Sequence, residues 1–290
     1  MSVCSVCLTL GILTGYLVSN EIYEKVHHNT YYILYGVSIC SCVLILMYTA
    51  FLLPENKVHI FDVKESYPRI INKSFFNISH IKKSVEVLFE NRPSKGRTVL
   101  MLLTFIIVID ILVFQGKKIF SSLLLFFITG EGNFRYLSLK ATFSWSAEDY
   151  NIFSAILSGS AVVTSLIGVW LLKKVLDLNE PFMIFLIVML SLTSSILVSI
   201  SKTTTDIYCS ALLGCFVVLL SPLVKSEVSY LVPNSDIGKI FALTSTLEAI
   251  TPFAATPIYT EVYNLVISSK PLYVNFVSAG FWLIATILAL

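Results

Sequence analysis

The chain has 290 residues, of which 56% are hydrophobic and 13% charged, with a mean hydropathy of +0.82. That balance excludes an ordinary soluble domain, and a net charge of +2 is too small to point to nucleic acid. Apolar runs of roughly 17–25 residues recur, each long enough to cross a bilayer, while the alternating pattern of a membrane barrel is missing; the composition predicts an all-α polytopic membrane protein.

In chain order, the first span is read at about Val3–Ser19, with Gly11 and Gly15 as a small-xxx-small pair that lets helices approach closely. Met1 leads into this run without a basic flank or a small-residue cleavage site, so it reads as a span and not as a signal peptide. A polar turn, Asn20–Thr30, carries His27 and His28, read as loop histidines because no acid or cysteine completes a metal site. The second span is about Tyr31–Leu53 and ends at Pro54. Pro54 to Arg97 is the long polar stretch, with nine Lys/Arg against five acids. By the positive-inside rule it is cytoplasmic, which would leave the glycosylation patterns at Asn72 and Asn77 unmodified. Within it Ile78, Ile81, Val85 and Leu88 repeat at helical spacing and predict a short amphipathic helix on the membrane surface.

The third span starts at Thr98 and carries Asp110. Lys117 and Lys118 then precede an apolar run, Ile119–Ile128, that is too short to span. Removing Lys117–Gly130 would join Gln115-Gly116 to Glu131-Gly132, and Gly-Lys-Lys and Phe-Phe-Ile-Thr-Gly can both be encoded by splice-site-like codons. Either a retained intron or a tilted helix with an outer hairpin accounts for the segment. Glu131–Asn151 reads as an amphipathic connection containing FSWSAEDY. The fourth span, about Ile152–Leu172, has a close-packing stripe of Ser160, Thr164 and Gly168 and ends at Lys173 and Lys174. The fifth is about Pro181–Ile200, and the sixth, about Ile207–Val224, ends in Ser221-Pro222 and Lys225. The seventh, Phe241–Val266, carries Glu248 a third of the way in, and Pro252 and Pro257 are expected to interrupt it. The eighth is about Leu272–Leu290. With Pro54–Arg97 inside, Lys173, Lys174, Lys225 and Lys239 all fall inside as well, provided that Ile119–Ile128 does not cross.

A carboxylate inside a span is costly and faces a bundle interior or a water-filled path. Glu248 is the leading pathway residue on this argument, suited to carrying a proton; its alternative is a structural acid bonded to a neighbouring helix. Asp110 has the same two readings. For Lys225 the alternative is a positive-inside anchor reaching to the interface. Glu131 is a further candidate whose depth depends on the insertion before it. Tyr259 and Tyr263, one turn apart, could line the path or pack as interface aromatics. The six cysteines lie in or beside apolar runs, and the CxxC spacing of Cys4 and Cys7 has no second pair. No metal ligands, cofactor motif or nucleophile–base pair stands inside the spans, so neither a cofactor nor an enzyme is expected.

Two spans, a long basic loop and six further spans look like the second half of a major facilitator transporter with the last pair of the first half attached. More specifically, FSWSAEDYNIF, LLSPLVKSEVSYLVPNSDIGKIFAL and LEAITPFAATPIYTEVYN resemble the proton-coupled folate transporter (solute carrier 46-like) family. The resemblance covers most of the chain and is strongest from Phe143 to Asn264. It implies a helix bundle equivalent to helices 5–12 of twelve, hence an N-terminally truncated member. Residues 1–54 would be the last two helices of the N-terminal half-bundle, 55–97 the cytoplasmic linker and 98–290 the C-terminal half-bundle. The implied activity is secondary transport of a bulky organic anion with proton coupling, in a plasma or endolysosomal membrane. The implied partners are the lipid bilayer, protons and an anionic small molecule. Relatives place a basic residue linked to substrate and proton handling at the position of Lys225. Glu131 falls where the folate transporter has a titratable histidine, and Glu248 where acidic or amide residues occur. The family's fifth-helix acid has no counterpart; Cys7 and Leu8 lie near its position. A non-transporting receptor or a degenerate paralogue is the alternative.

Overall fold

The computed structural model describes residues 96–116, 134–233 and 236–290, together with 85–90 and the isolated positions 11, 15, 36, 39, 40, 43 and 47. The expected first two spans, His27 and His28, Ile78 and Ile81, and Lys117–Gly130 lie outside the described residues apart from those positions. The described helices are α1 (Gly96–Gly116), α2 (Phe134–Phe143), α3 (Ala147–Trp170), α4 (Glu180–Ile200), α5 (Thr204–Gly214), α6 (Leu220–Leu231), α7 (Ile237–Val266) and α8 (Asn275–Ala289). A π-turn, Leu171–Val175, extends α3; a 3-10 turn, Cys215–Leu219, joins α5 to α6; another, Pro271–Val274, leads into α8.

Among the described residues, five helical stretches are long and apolar enough to cross a membrane: Gly96–Val113, Ala147–Val175, Glu180–Ile200, Thr204–Leu231 and Pro271–Ala289. The expected seventh span is α7, 30 residues long. It has ample length, about 45 Å, but stands outside that set; Lys239, Glu248 and Glu261 all lie within it. The protein is therefore an all-α, multi-pass integral membrane protein.

Most span hydroxyls are satisfied inside their own helix, which is what a medium without water requires. Thr104 donates to the Leu100 carbonyl at 2.8 Å, Ser191 to Ile187 at 2.8 Å, Thr244 to Ile240 at 2.6 Å and Thr286 to Trp282 at 2.8 Å. The main core is built from α1, α4, α6 and α8, with Leu100, Met183, Ile187, Val188, Leu220, Val224 and Ala285 buried in it. α1 packs on α6, α7 and α8, and α4 packs on α5, α6 and α8.

Two expectations are corrected. α7 runs unbroken through Pro252 and Pro257; a proline costs one helical hydrogen bond, and within a bundle hydroxyls and neighbouring helices absorb that loss. Thr251 and Thr260 beside them each donate to a carbonyl four residues back. The sixth span, expected to end at about Val224, continues to Leu231. Pro222 is the third residue of α6, in the first turn, where its missing N–H is tolerated, and the tighter 3-10 turn stands directly before it.

The expected close-packing stripe holds. A Cβ on Gly168 would come within 2.7 Å of Leu219 Cδ1 and 3.2 Å of Thr164 Cγ2. Thr164 Oγ1 meets Cys215 Sγ at 3.3 Å. These small residues seat the 3-10 turn against α3. Residues 85–89 are helical; the expected Leu88 packs on the core together with Val87, whereas Val85 is exposed.

At the opposite end of the bundle, α2, α3 and α5 meet in an aromatic cluster. Trp145 lies 5.4 Å from Phe153 and 6.2 Å from Tyr208, centroid to centroid, and the Arg135 guanidinium sits 4.9 Å over Phe153. Ser144 closes α2 in the left-handed conformation, φ 56°, with its N–H on the Lys140 carbonyl at 3.0 Å. Ser146 then caps α3 in a capping box with Asp149, so α3 begins at Ala147, five residues before the expected span.

Candidate functional site

The inward face of α7 is marked by Ile240, Thr244, Thr251, Ala255, Tyr259 and Tyr263, all buried. These recur every three or four residues, and Glu248 falls on the same stripe between Thr244 and Thr251. α1 presents a matching stripe, Leu103, Ile106, Ile107 and Val113, with Asp110 half-buried within it. On α6, Leu220, Leu223, Val224 and Val228 are buried, and Lys225 stands at the edge of that face.

Two of the three charged residues meet. Lys225 Nζ lies 3.0 Å from Glu248 Oε1, and Asp110 is close enough for both Lys225 and Glu248 to act on its charge. They come from three separate helices: α6, α7 and α1. Asp110 is about 21 Å along α1 from Gly96, and Glu248 about 16 Å along α7 from Ile237, at 1.5 Å per residue. Both are a good part of the way through a hydrocarbon layer about 30 Å thick. The side chains of Lys225 and Glu248 are 25% and 29% exposed. They are thus shielded enough for the pair to be strong, yet open enough for a solute to reach it. With all three groups ionised, two carboxylates stand against one ammonium and the three residues carry one surplus negative charge. A single proton on either carboxylate would balance it.

The remaining sequence candidates fall elsewhere. Glu131 lies outside the described residues. Tyr259 and Tyr263 are packing residues. The Tyr259 hydroxyl and that of Ser278 are 2.8 Å apart in the core, and the Tyr263 ring lies 5.3 Å from Phe134. Cys215 is buried against Thr164, while Cys40 and Cys209 are exposed.

Sequence reasoning missed a second charge cluster. Lys173, past the end of α3, bonds Glu180 at the start of α4 at 2.6 Å. Glu227 on α6 is close enough to interact electrostatically with both. Lys173 reads as a simple cytoplasmic anchor, and nothing in a hydropathy pattern pairs it with acids across a loop and on another helix.

Against known proteins, the model of the Major Facilitator Superfamily matches residues 1–256. The chain is 22% identical over 282 residues to the probable peptidoglycan muropeptide transporter SLC46 of Drosophila melanogaster, covering 96% of this chain and 50% of that protein. It is 24% identical over 229 residues to the lysosomal proton-coupled steroid conjugate and bile acid symporter SLC46A3 of Gallus gallus, covering 78% and 44%. The same symporter of Mus musculus is 23% identical over 248 residues, covering 85% and 49%. The chain thus spans about half the length of the curated relatives it matches, and those relatives are transporters, not enzymes. A bundle of apolar helices that keeps a mixed charge cluster inside it, matched along most of its length by one family model, places this chain in the Major Facilitator Superfamily, among proteins similar to solute carrier 46.

Proposed function

We propose that this chain forms the last two helices of the N-terminal half-bundle and the whole C-terminal half-bundle of a secondary transporter that moves a bulky organic anion in company with a proton, by alternating access about Lys225, Glu248 and Asp110. The observation that carries this reading is the 3.0 Å contact between Lys225 on α6 and Glu248 on α7, with Asp110 on α1, the helix packed against both. Lys225 would receive the anionic group of the solute. That group would compete with Glu248 for the ammonium, leaving Glu248 and Asp110 with less compensating charge and so drawing in a proton. Anion and proton would then favour each other's binding, which is the thermodynamic requirement for coupled movement. The named cargoes of the relatives, muropeptides and steroid or bile acid conjugates, are bulky solutes of this kind and support the class.

The test is uptake by the full-length protein in vesicles under an inward proton gradient, with folate, a bile acid conjugate and a muropeptide as separate probes. Lys225→Gln should lower uptake of the transported probe about tenfold or more, as expected for loss of one partner of a partly buried charge contact, with surface expression unchanged. Uptake by Lys225→Gln equal to that of the parent would overturn the assignment.

A further inference from the structure

α2 is a short helix of one-sided charge. Its residues, FRYLSLKATF, include Arg135 and Lys140 and no acid. It lies at the end of the bundle where α3 begins, away from Lys173 and Lys174 past the other end of α3. The positive-inside rule gathers bases at the lysine end, so two cations in one short helix at the opposite end need another cause.

Both cations stand on aromatic faces, and the rings beneath them form one row across the seam between α2 and α3. Lys140 Nζ is 5.5 Å from the centroid of Tyr136, and the Arg135 guanidinium carbon is 4.9 Å from that of Phe153. Tyr150 joins the two rings, 5.2 Å from Tyr136 and 6.4 Å from Phe153. The ends of the row are fixed: Phe153 and Tyr136 are buried, and Phe153 is held edge-on by Trp145 at 5.4 Å and Tyr208 at 5.3 Å. Tyr150 and Arg135 are half-buried, and Lys140 is exposed. The result is a rigid base under two positive charges, on residues about 7.5 Å apart along α2 at 1.5 Å per residue. Packing alone does not require this, because an aliphatic side chain would cover Phe153 without the cost of shielding a charge from water. A guanidinium has five N–H donors and grips a carboxylate or sulfonate through two of them at once.

The row also starts where the central residues lead. Phe134, the neighbour of Arg135, packs 5.3 Å from Tyr263 and shares a cluster with Tyr259 and Leu112. Tyr259 and Tyr263 lie on the stripe of α7 that carries Glu248, and Leu112 is two residues past Asp110. Tyr263 is about 22 Å along α7 from Glu248.

We infer that this seam is an outer docking platform for an oxyanion group on a ring-bearing organic solute. Arg135 and Lys140 hold the oxyanion, Tyr150 supports the apolar body beside it, and the solute then passes inward to Lys225. The onward step rests on the transport reading; the binding itself does not.

The test is the fluorescence anisotropy of carboxyfluorescein, a flat aromatic oxyanion, titrated with purified full-length protein in phosphatidylcholine nanodiscs. The protein carries Lys225→Gln, so that the inner ammonium takes no part. Carboxyfluorescein should bind, and a cationic rhodamine with the same ring system should bind at least about tenfold more weakly. Adding Arg135→Gln should weaken carboxyfluorescein binding about tenfold or more, the size expected for loss of a charge-assisted contact. Lys140→Gln should weaken it about threefold or more, and this exposed position serves if Arg135→Gln fails to fold. No binding, equal affinity for the two dyes, or equal affinity of either variant and its background overturns the platform. Displacement of the dye by phosphatidylglycerol in the discs also overturns it, since the cations would then serve lipid headgroups; affinity unchanged by that lipid is the expected result. Dye binding lost in Arg135→Gln while Lys225→Gln transports normally would sink the transport reading alone, and the reverse pair of results would sink the platform alone.

Discussion

Lys225 is the cation paired with Glu248, and its removal leaves that carboxylate without its partner. Breaking a dry ion pair from one side costs about 3–5 kcal/mol, and the solvent that reaches a quarter of each side chain here should reduce that to about 1–2 kcal/mol. Lys225→Gln should therefore lower the unfolding temperature of the purified full-length protein. Lys225→Gln combined with Glu248→Gln should recover part of the loss, because only one carboxylate then remains. A double variant that is the plain sum of the two singles would show that the pair is not coupled. Gly168 makes a sharper prediction from sterics alone. Its missing Cβ would lie 2.7 Å from Cδ1 of Leu219, a residue itself only 2% exposed and unable to swing away. Gly168→Ala should cost about 1–3 kcal/mol, whereas Gly280→Ala in α8, with nothing within 4 Å, should be neutral or slightly stabilising. Equal unfolding temperatures for the two variants would contradict the packing described for α3.

At the level of elements, the helices were legible because burial in lipid demands long apolar runs, and their cores fall where the runs do. Their ends were less so. Ser146-Ala-Glu-Asp149 and Thr203-Thr-Thr-Asp206 are both capping boxes, and both patterns stand in the sequence. The first was passed over because the surrounding stretch read as an amphipathic connection, which hid the early start of α3. The prolines misled for a physical reason. Pro222 interrupts nothing because it occupies a first turn, and in α7 the loss at two positions is small beside the packing of thirty residues. The Trp145 cluster ties α2 to α3 and α5 through four aromatic rings and Arg135. Trp145→Ala should destabilise by about 3–5 kcal/mol, whereas Ser146→Ala should cost about 1 kcal/mol through loss of the cap. Thermal unfolding of the two variants would reveal the order, and the reverse order would mean that the cluster is not what holds this end together.

For the whole molecule, the cost of charge in lipid pointed Asp110 and Glu248 into a bundle and the family resemblance singled out Lys225, but neither could pair them. That depends on how α1, α6 and α7 face one another, and hydropathy carries no such information. Glu227 and Glu180 were invisible for the same reason. The central claim is that the Lys225–Glu248–Asp110 cluster couples proton entry to anion movement. It is tested most directly in proteoliposomes containing the full-length protein, by comparing two modes of transport in Glu248→Gln. An amide keeps the shape of the side chain but cannot take and release a proton. The account predicts that Glu248→Gln loses accumulation of the anion driven by an imposed proton gradient but retains exchange of labelled for unlabelled anion at equal pH. Gradient-driven accumulation by Glu248→Gln at the level of the parent would contradict it.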